Sequence, residues 1–144
     1  MKEKALNYLG LMRKANAAHI GETDTGAAVR GNAAKLVVLA SDASDNARSR
    51  ARGFVYGRNV PLIVAPFTKE EISAHVGKNG CSMLAICDAG FADAFMKCLA
   101  ALDEEKYSEC AEKIAEALRR EKQRKKENEA HERNKRTGKR RTNA

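Results

Sequence analysis

The stretch GETDTGAAVRGNAAKLVVLA, residues 21–40, sets two signals side by side: a glycine-punctuated run of small and polar residues, then a continuous apolar run. Gly21 and Gly26 have the G-x-x-x-x-G spacing of a phosphate loop. However, Ala27 and Ala28 stand where that loop needs a Lys and a Ser or Thr to hold phosphate and magnesium. The order is also reversed, because a phosphate loop follows its strand, whereas here the apolar run KLVVLA (35–40) comes after it. The stretch reads instead as a helix start followed by a strand. Gly21 suits the tight turn, Thr23 is the candidate cap, and Asp24 falls in the first turn where the helix dipole favours an acid. Amides at such an end point outward and can meet phosphate oxygens or base edges.

Working outward, VPLIVA (60–65) and SMLAIC (82–87) repeat the signature of KLVVLA, that of strands covered on both faces. Between the strands lie ASDNARSRARGFVYG (43–57) and TKEEISAHVGK (68–78). Each has helical length, a cap candidate (Ser44 or Asp45; Thr68) and a glycine stop (Gly57; Gly77). Thr68 and Glu71 have capping-box spacing. Residues 3–15 place Leu6, Leu9 and Met12 at helical intervals, and FADAFMKCLAALDEE (91–105) closes the body as another amphipathic helix. Strands alternating with helices predict an α/β sheet covered by helices on both faces.

Tyr107, Cys110, Ile114 and Leu118 continue the helical spacing, and this stripe is expected to dock on the body or on a second chain. From about residue 121 the apolar residues vanish. Such a segment cannot repay the entropy of folding alone, so it is expected to be frayed helix passing into disorder. The organisation read from the chain is thus a domain over 1–104, an amphipathic helical extension over 105–120, and a basic, disordered tail over 121–144.

Charge divides along the same line. The 144 residues carry 27 Lys and Arg against 19 Asp and Glu. Residues 119–144 hold 12 of the basic and 4 of the acidic ones, a net of +8, which leaves 15 and 15 in residues 1–118. A neutral body with a basic arm points to a polyanionic partner. The tail cations, Arg119, Arg120, Lys122, Arg124, Lys125 and Lys126 among them, would hold a nucleic-acid backbone by releasing condensed counterions, without reading sequence. Arg48, Arg50, Arg52 and Arg58 cluster on and after the 43–57 helix, and with Arg30 and Lys35 they could form a second basic surface.

Other chemistries find little support. Cys81, Cys87, Cys98 and Cys110 form no C-x-x-C pair, and the three histidines are scattered, so no metal or other cofactor is implied. The cysteines lie mostly in apolar runs and read as small core residues, and His19 and His75 have no partner spacing. No apolar run approaches the roughly 18 residues of a membrane span, and MKEKALNYLGLMRK breaks any signal-peptide core with charges. A cytoplasmic protein with reduced thiols is expected. Three tyrosines, four phenylalanines and no tryptophan leave few rings for base stacking, so an aromatic platform for single strands is not expected.

The runs GETDTGAAVRGNAAKLVVLASDAS (21–44), NVPLIVAPFTKEEI (59–72) and CSMLAICDAGFA (81–92) together resemble the kink-turn RNA-binding ribosomal protein superfamily, of archaeal L-seven-Ae and eukaryotic L-thirty-e type, and most of all its bacterial YlxQ-type ribosomal-protein-like branch. The resemblance covers residues 3 to about 103. It implies a three-layer α-β-α sandwich with a four-stranded mixed sheet, a short first strand at 17–20, no catalytic activity, and RNA as partner, ribosomal or another structured RNA, with ribosome-associated proteins as further candidates.

In family members that bind kink-turns, the motif Gly-x-Asn-Glu-x-x-Lys starts the helix that grips tandem sheared G·A pairs. Gly21 fits that motif, but Thr23 stands at the Asn position, Asp24 at the Glu position and Ala27 at the Lys position. A hydroxyl lacks the paired donor and acceptor of an amide, aspartate is one methylene short, and alanine brings no cation. The family's loop before the last strand covers an unpaired nucleotide with aliphatic side chains, whereas here it is GKNGCS (77–82), small and polar, offering Lys78 and backbone amides.

The resemblance and the charge split together indicate a non-catalytic RNA-binding protein of the translation apparatus. Its face comprises Gly21, Glu22, Thr23, Asp24, Lys78, Asn79, Gly80, Cys81 and Ser82, with Arg30 and Lys35 adding charge and the tail holding the backbone. The alternative is a protein-interaction adaptor on the same fold that works through the stripe of its C-terminal helix. An enzyme or nucleotide binder has neither a nucleophile–base pair nor a metal cluster to support it.

Overall fold

The computed structural model describes residues 1–79 and 81–142, with side chains through Asn134 apart from Gly80. Its elements run α1 (Lys2–Lys14), β1 (Ala18–Ile20), α2 (Glu22–Arg30), β2 (Leu36–Leu39), α3 (Asp45–Val55), β3 (Leu62–Val64), α4 (Lys69–Val76), β4 (Met83–Ile86), α5 (Ala89–Leu102) and α6 (Glu104–Thr142). The strands form one sheet in the order β1-β4-β2-β3. β2 and β3 are parallel, while β4 is antiparallel to both β1 and β2, so the sheet is mixed as the resemblance implied.

The strands are short because each is only as long as its apolar run, and β2 and β4 are buried along their whole length. Alternation then divides their side chains. Leu36, Val38, Leu84 and Ile86 join Leu9, Met12, Ile72, Phe95 and Leu99 in the main core, while Val37 and Ala85 meet Ala28 and Val29 of α2 in a smaller one. Helices therefore cover both faces. The start signals in the sequence are used as read: the Ser44 hydroxyl accepts from the Ala47 amide, Thr68 and Glu71 complete a capping box, and α4 stops at Gly77 in the left-handed region. Asp88 caps α5 by accepting from the Phe91 amide. The carbonyl of Val76, at the end of α4, accepts from the Arg13 guanidinium of α1.

The stripe on the C-terminal helix docks on its own body through its first three residues. Tyr107 and Ile114 are buried in the main core and Cys110 packs against it. The Tyr107 hydroxyl donates to the Val64 carbonyl on edge strand β3 at 2.6 Å. No described side chain after Ile114 is buried, and the helix runs on to Thr142 through residues of good helix propensity with i,i+4 contacts such as Arg120 to Glu116 at 2.7 Å.

Burial, with Asp103 adding to it, raises the Tyr107 phenol from an ordinary 10.0 to about 12. The folded chain thus holds this proton more tightly than the unfolded one. The contribution is whole below about pH 10 and is lost as pH climbs through 12. Tyr107→Phe is expected to cost about 1–2 kcal/mol at neutral pH, because it leaves the Val64 carbonyl without its donor. The same change should flatten the alkaline limb of stability, and chemical denaturation at pH 7 and at pH 11 measures both.

Candidate nucleic-acid interface

Gly21 links β1 to α2, and its geometry shapes this end of the sheet. Its φ of 99° and ψ of 165° lie in a region that only glycine occupies without strain, and a Cβ there would sit 3.4 Å from the Lys78 ammonium. Its amide donates to the Met83 carbonyl at the start of β4, and its own carbonyl accepts from the Thr25 amide. The helix therefore begins at Glu22 with Gly21 as its cap residue, which corrects the expectation for Thr23. Thr23 is already inside the first turn, and no side chain caps α2. The second glycine of the phosphate-loop spacing has a packing role. A Cβ on Gly26 would fall 2.9 Å from ring atoms of Phe54, which lets α3 approach α2 closely.

Lys78 folds back over the helix start. Its ammonium donates to the Ile20 carbonyl at 3.0 Å and lies 4.0 Å from the Asp24 carboxylate. With both side chains about half exposed that pair is weak, so the ammonium stays available to a stronger anion. Glu22 is instead bound to Arg50 of α3 at 2.7 Å. Beside this pair an open groove of about 580 Å³ is lined by Glu22, Arg50, Asn46, Ser73, Asn79 and Ser82, with Lys69 and Glu70 also on its wall. The face carries uncapped helix amides, two first-turn carboxylates, amide and hydroxyl groups, and cations to match the acids. Such mixed donors and acceptors can read the edges of bases; they are not a phosphate trap.

The structure gathers Gly21, Glu22, Thr23, Asp24, Lys78, Asn79 and Ser82 at one end of the sheet, where the end of β2 also arrives: the Ala40 amide donates to the Ser82 carbonyl. It separates others that the sequence placed with them. Cys81 is 1% exposed, with its amide bonded to the Ser73 hydroxyl, so its side chain cannot touch a ligand. Burial pushes its thiol up to about 11, which leaves it protonated and inert, and burial likewise raises Cys87 and Cys110.

Arg30 and Lys35 lie at the opposite end. Arg30 is the last residue of α2, over the Phe54 ring, and the Lys35 amide donates to the Ile86 carbonyl at the far end of β4. The suspected arginine surface is likewise divided, because Arg48 donates to the Ser41 and Ala43 carbonyls, Arg50 to Glu22 and Arg58 to the Val29 carbonyl. Arg119, Arg120, Lys122, Arg124, Lys125 and Lys126 are all exposed on α6, which packs on α5. Gly80 lies outside the described residues.

Sequence reasoning did not assign Asn46, Lys69 or Ser73 to the site. They reach the groove only through the packing of α3 and α4, which no local pattern signals. Among the described residues no group of three or more His, Cys, Asp or Glu could hold a metal ion, and no helix is long and apolar enough to cross a membrane.

No protein-family model matches this chain. A curated relative, the RNA-binding protein YlxQ of Enterococcus faecium, is 34% identical over 91 residues, which span 63% of this chain and 86% of that protein. The chain belongs to the YlxQ family. Among solved structures, one titled as a protein with unknown function from Bacillus halodurans C superposes on this YlxQ-family chain with a TM-score of 0.61 and 25% identity. That match covers 67% of this chain and 96% of the other. The 15.5kD RNA binding protein of Giardia lamblia superposes with a TM-score of 0.53 and 16% identity, over 67% of this chain and 85% of its own, a likeness of fold alone.

Proposed function

We propose that this YlxQ-family chain is a non-catalytic, cytoplasmic RNA-binding protein of the translation apparatus. It reads structured RNA with the Gly21–Asp24 helix start and the 77–82 loop, and holds the RNA backbone through its basic tail. The observation that carries this reading is Lys78, drawn across an uncapped helix start, and by the resemblance this helix start corresponds to the one with which kink-turn-binding members grip RNA. The name of the 34% identical relative and the confinement of net charge to residues 119–144 support RNA as the partner. The adaptor alternative needed a free stripe on the C-terminal helix, and Tyr107, Cys110 and Ile114 are committed to the chain's own core.

The test is titration of ribosomal RNA fragments at several salt concentrations. Lys78→Ala is expected to weaken binding about tenfold, as loss of a charged hydrogen bond would. Asp24→Lys is expected to change the ranking of RNAs rather than to raise affinity for all of them equally. Absence of saturable binding near physiological ionic strength would sink the proposal.

A further inference from the structure

At the far end of α2 lies a second cleft, of about 560 Å³, lined by Asn32, Ala34, Tyr56, Arg58, Asn59 and Val60, with Gly57 at the turn. It is formed by the α2–β2 loop and the α3–β3 loop, each bent by a left-handed residue, Asn32 (φ 59°) and Gly57 (φ 72°). The Tyr56 ring on its wall is 87% exposed, while Tyr8 is half-buried and Tyr107 is 2% exposed. Arg58 is held at the cleft by donating to the Val29 carbonyl at 3.0 Å and the Asn32 side-chain oxygen at 3.2 Å. Residues 25–41 and 46–69, which supply both loops, contain no Asp or Glu, while Arg30, Lys35, Arg52 and Arg58 are exposed there.

From this combination we infer that the cleft is a second RNA site, for a single unpaired nucleotide. Tyr56 stacks on the base, the Asn59 and Asn32 amides meet its edge, and Arg58 with Lys35 faces the phosphates. The ring supplies a stacking surface that the aromatic count does not predict. Stacking on one exposed ring is indifferent to base identity, and the amides on either side can pair with donor or acceptor edges. A base is favoured over a protein segment because the cleft pairs its single ring with amides and cations and offers no further exposed large apolar side chain. The site lies about 13 Å along α2 from the Gly21 face, the length of a nine-residue helix, so one RNA can engage both ends. The inference rests on the proposal that the chain binds RNA.

The chain has no tryptophan, so its tyrosine emission can be read directly. The full chain is titrated with an unstructured ten-nucleotide RNA at raised salt, where contacts between the tail and the backbone are weakened. The expected result is quenching of tyrosine emission on saturation. Tyr56→Ala should lose that quench and bind at least fivefold more weakly with an unchanged melting temperature, and Tyr56→Phe should keep the affinity. Equal oligonucleotide affinity for wild type and Tyr56→Ala would overturn the second site while leaving binding at the Gly21 face intact, and would assign the exposed ring to a protein partner instead. A wild-type chain that binds neither the oligonucleotide nor ribosomal RNA would overturn both readings together.

Discussion

A chain carrying Thr23→Asn, Asp24→Glu and Ala27→Lys together is expected to bind a kink-turn RNA at least a hundredfold more tightly than the wild type does, as read by fluorescence anisotropy at fixed salt. The three positions are exposed on α2 and each new residue fits a helix, so the fold should carry the change with a near-unchanged melting temperature. Gly21, the remaining fixed position of the motif, already has the backbone geometry that starts the helix and presents its amides. The substitutions therefore add side-chain chemistry to a preorganised frame: an amide that donates and accepts at once, a carboxylate with one more methylene of reach, and a cation where alanine has none. A well-placed bidentate contact to a base edge contributes about 1–3 kcal/mol of discrimination, so two of them suffice for the stated gain. The single substitutions should each fall well short of the triple, since the three side chains act on the same tandem G·A pairs. A triple variant that melts like the wild type yet shows no preference for the kink-turn over a plain duplex would mean that this face is not the RNA-reading surface at all.

The sheet and its covering helices were legible because their signals are local. KLVVLA is buried along β2, and the Ser44, Thr68 and Gly77 punctuation sits at the helix ends that it marked. The helix start at Gly21 was legible in outline but misread by two residues. A threonine followed by an acid just after a turn glycine looks like a cap, and only the hydrogen bond between the Gly21 amide and Met83 across the sheet fixes where the strand ends. Charge alone joins Arg30 and Lys35 to the arginines of the 43–57 helix and to the Gly21 face, but a nine-residue helix carries its two ends to opposite rims of the sheet. The Glu22–Arg50 pair joins residues 28 apart and has no local signature. Cys81 sits in a polar loop sequence yet turns inward because it precedes the fully buried β4. Tyr56 was counted among few aromatics, and composition does not say which ring of three is left in solvent.

Removal of residues 119–144 is expected to reduce the dependence of RNA affinity on salt more than any change on the body. Those residues hold 12 cations and 4 acids, while the remaining 118 are formally neutral. Each phosphate neutralised contributes about 0.7–0.9 to the slope of log affinity against log salt, so engagement of half the tail cations corresponds to a loss of about 4–5 units of slope on deletion. The truncated chain keeps Tyr107 and Ile114, the last of the buried described side chains, and its thermal unfolding should match that of the full chain. Its ranking of different RNAs should survive, because contacts to phosphates position an RNA without reading it. The Gly21 face offers matched charges, Glu22 with Arg50 and Asp24 with Lys78, and so supplies little long-range attraction by itself. Discrimination and affinity are thus expected to reside in different parts of the molecule: weak but selective binding for residues 1–118, tight but indiscriminate binding for the tail. An unchanged salt slope after the deletion would refute this division and transfer the electrostatic contacts to the body.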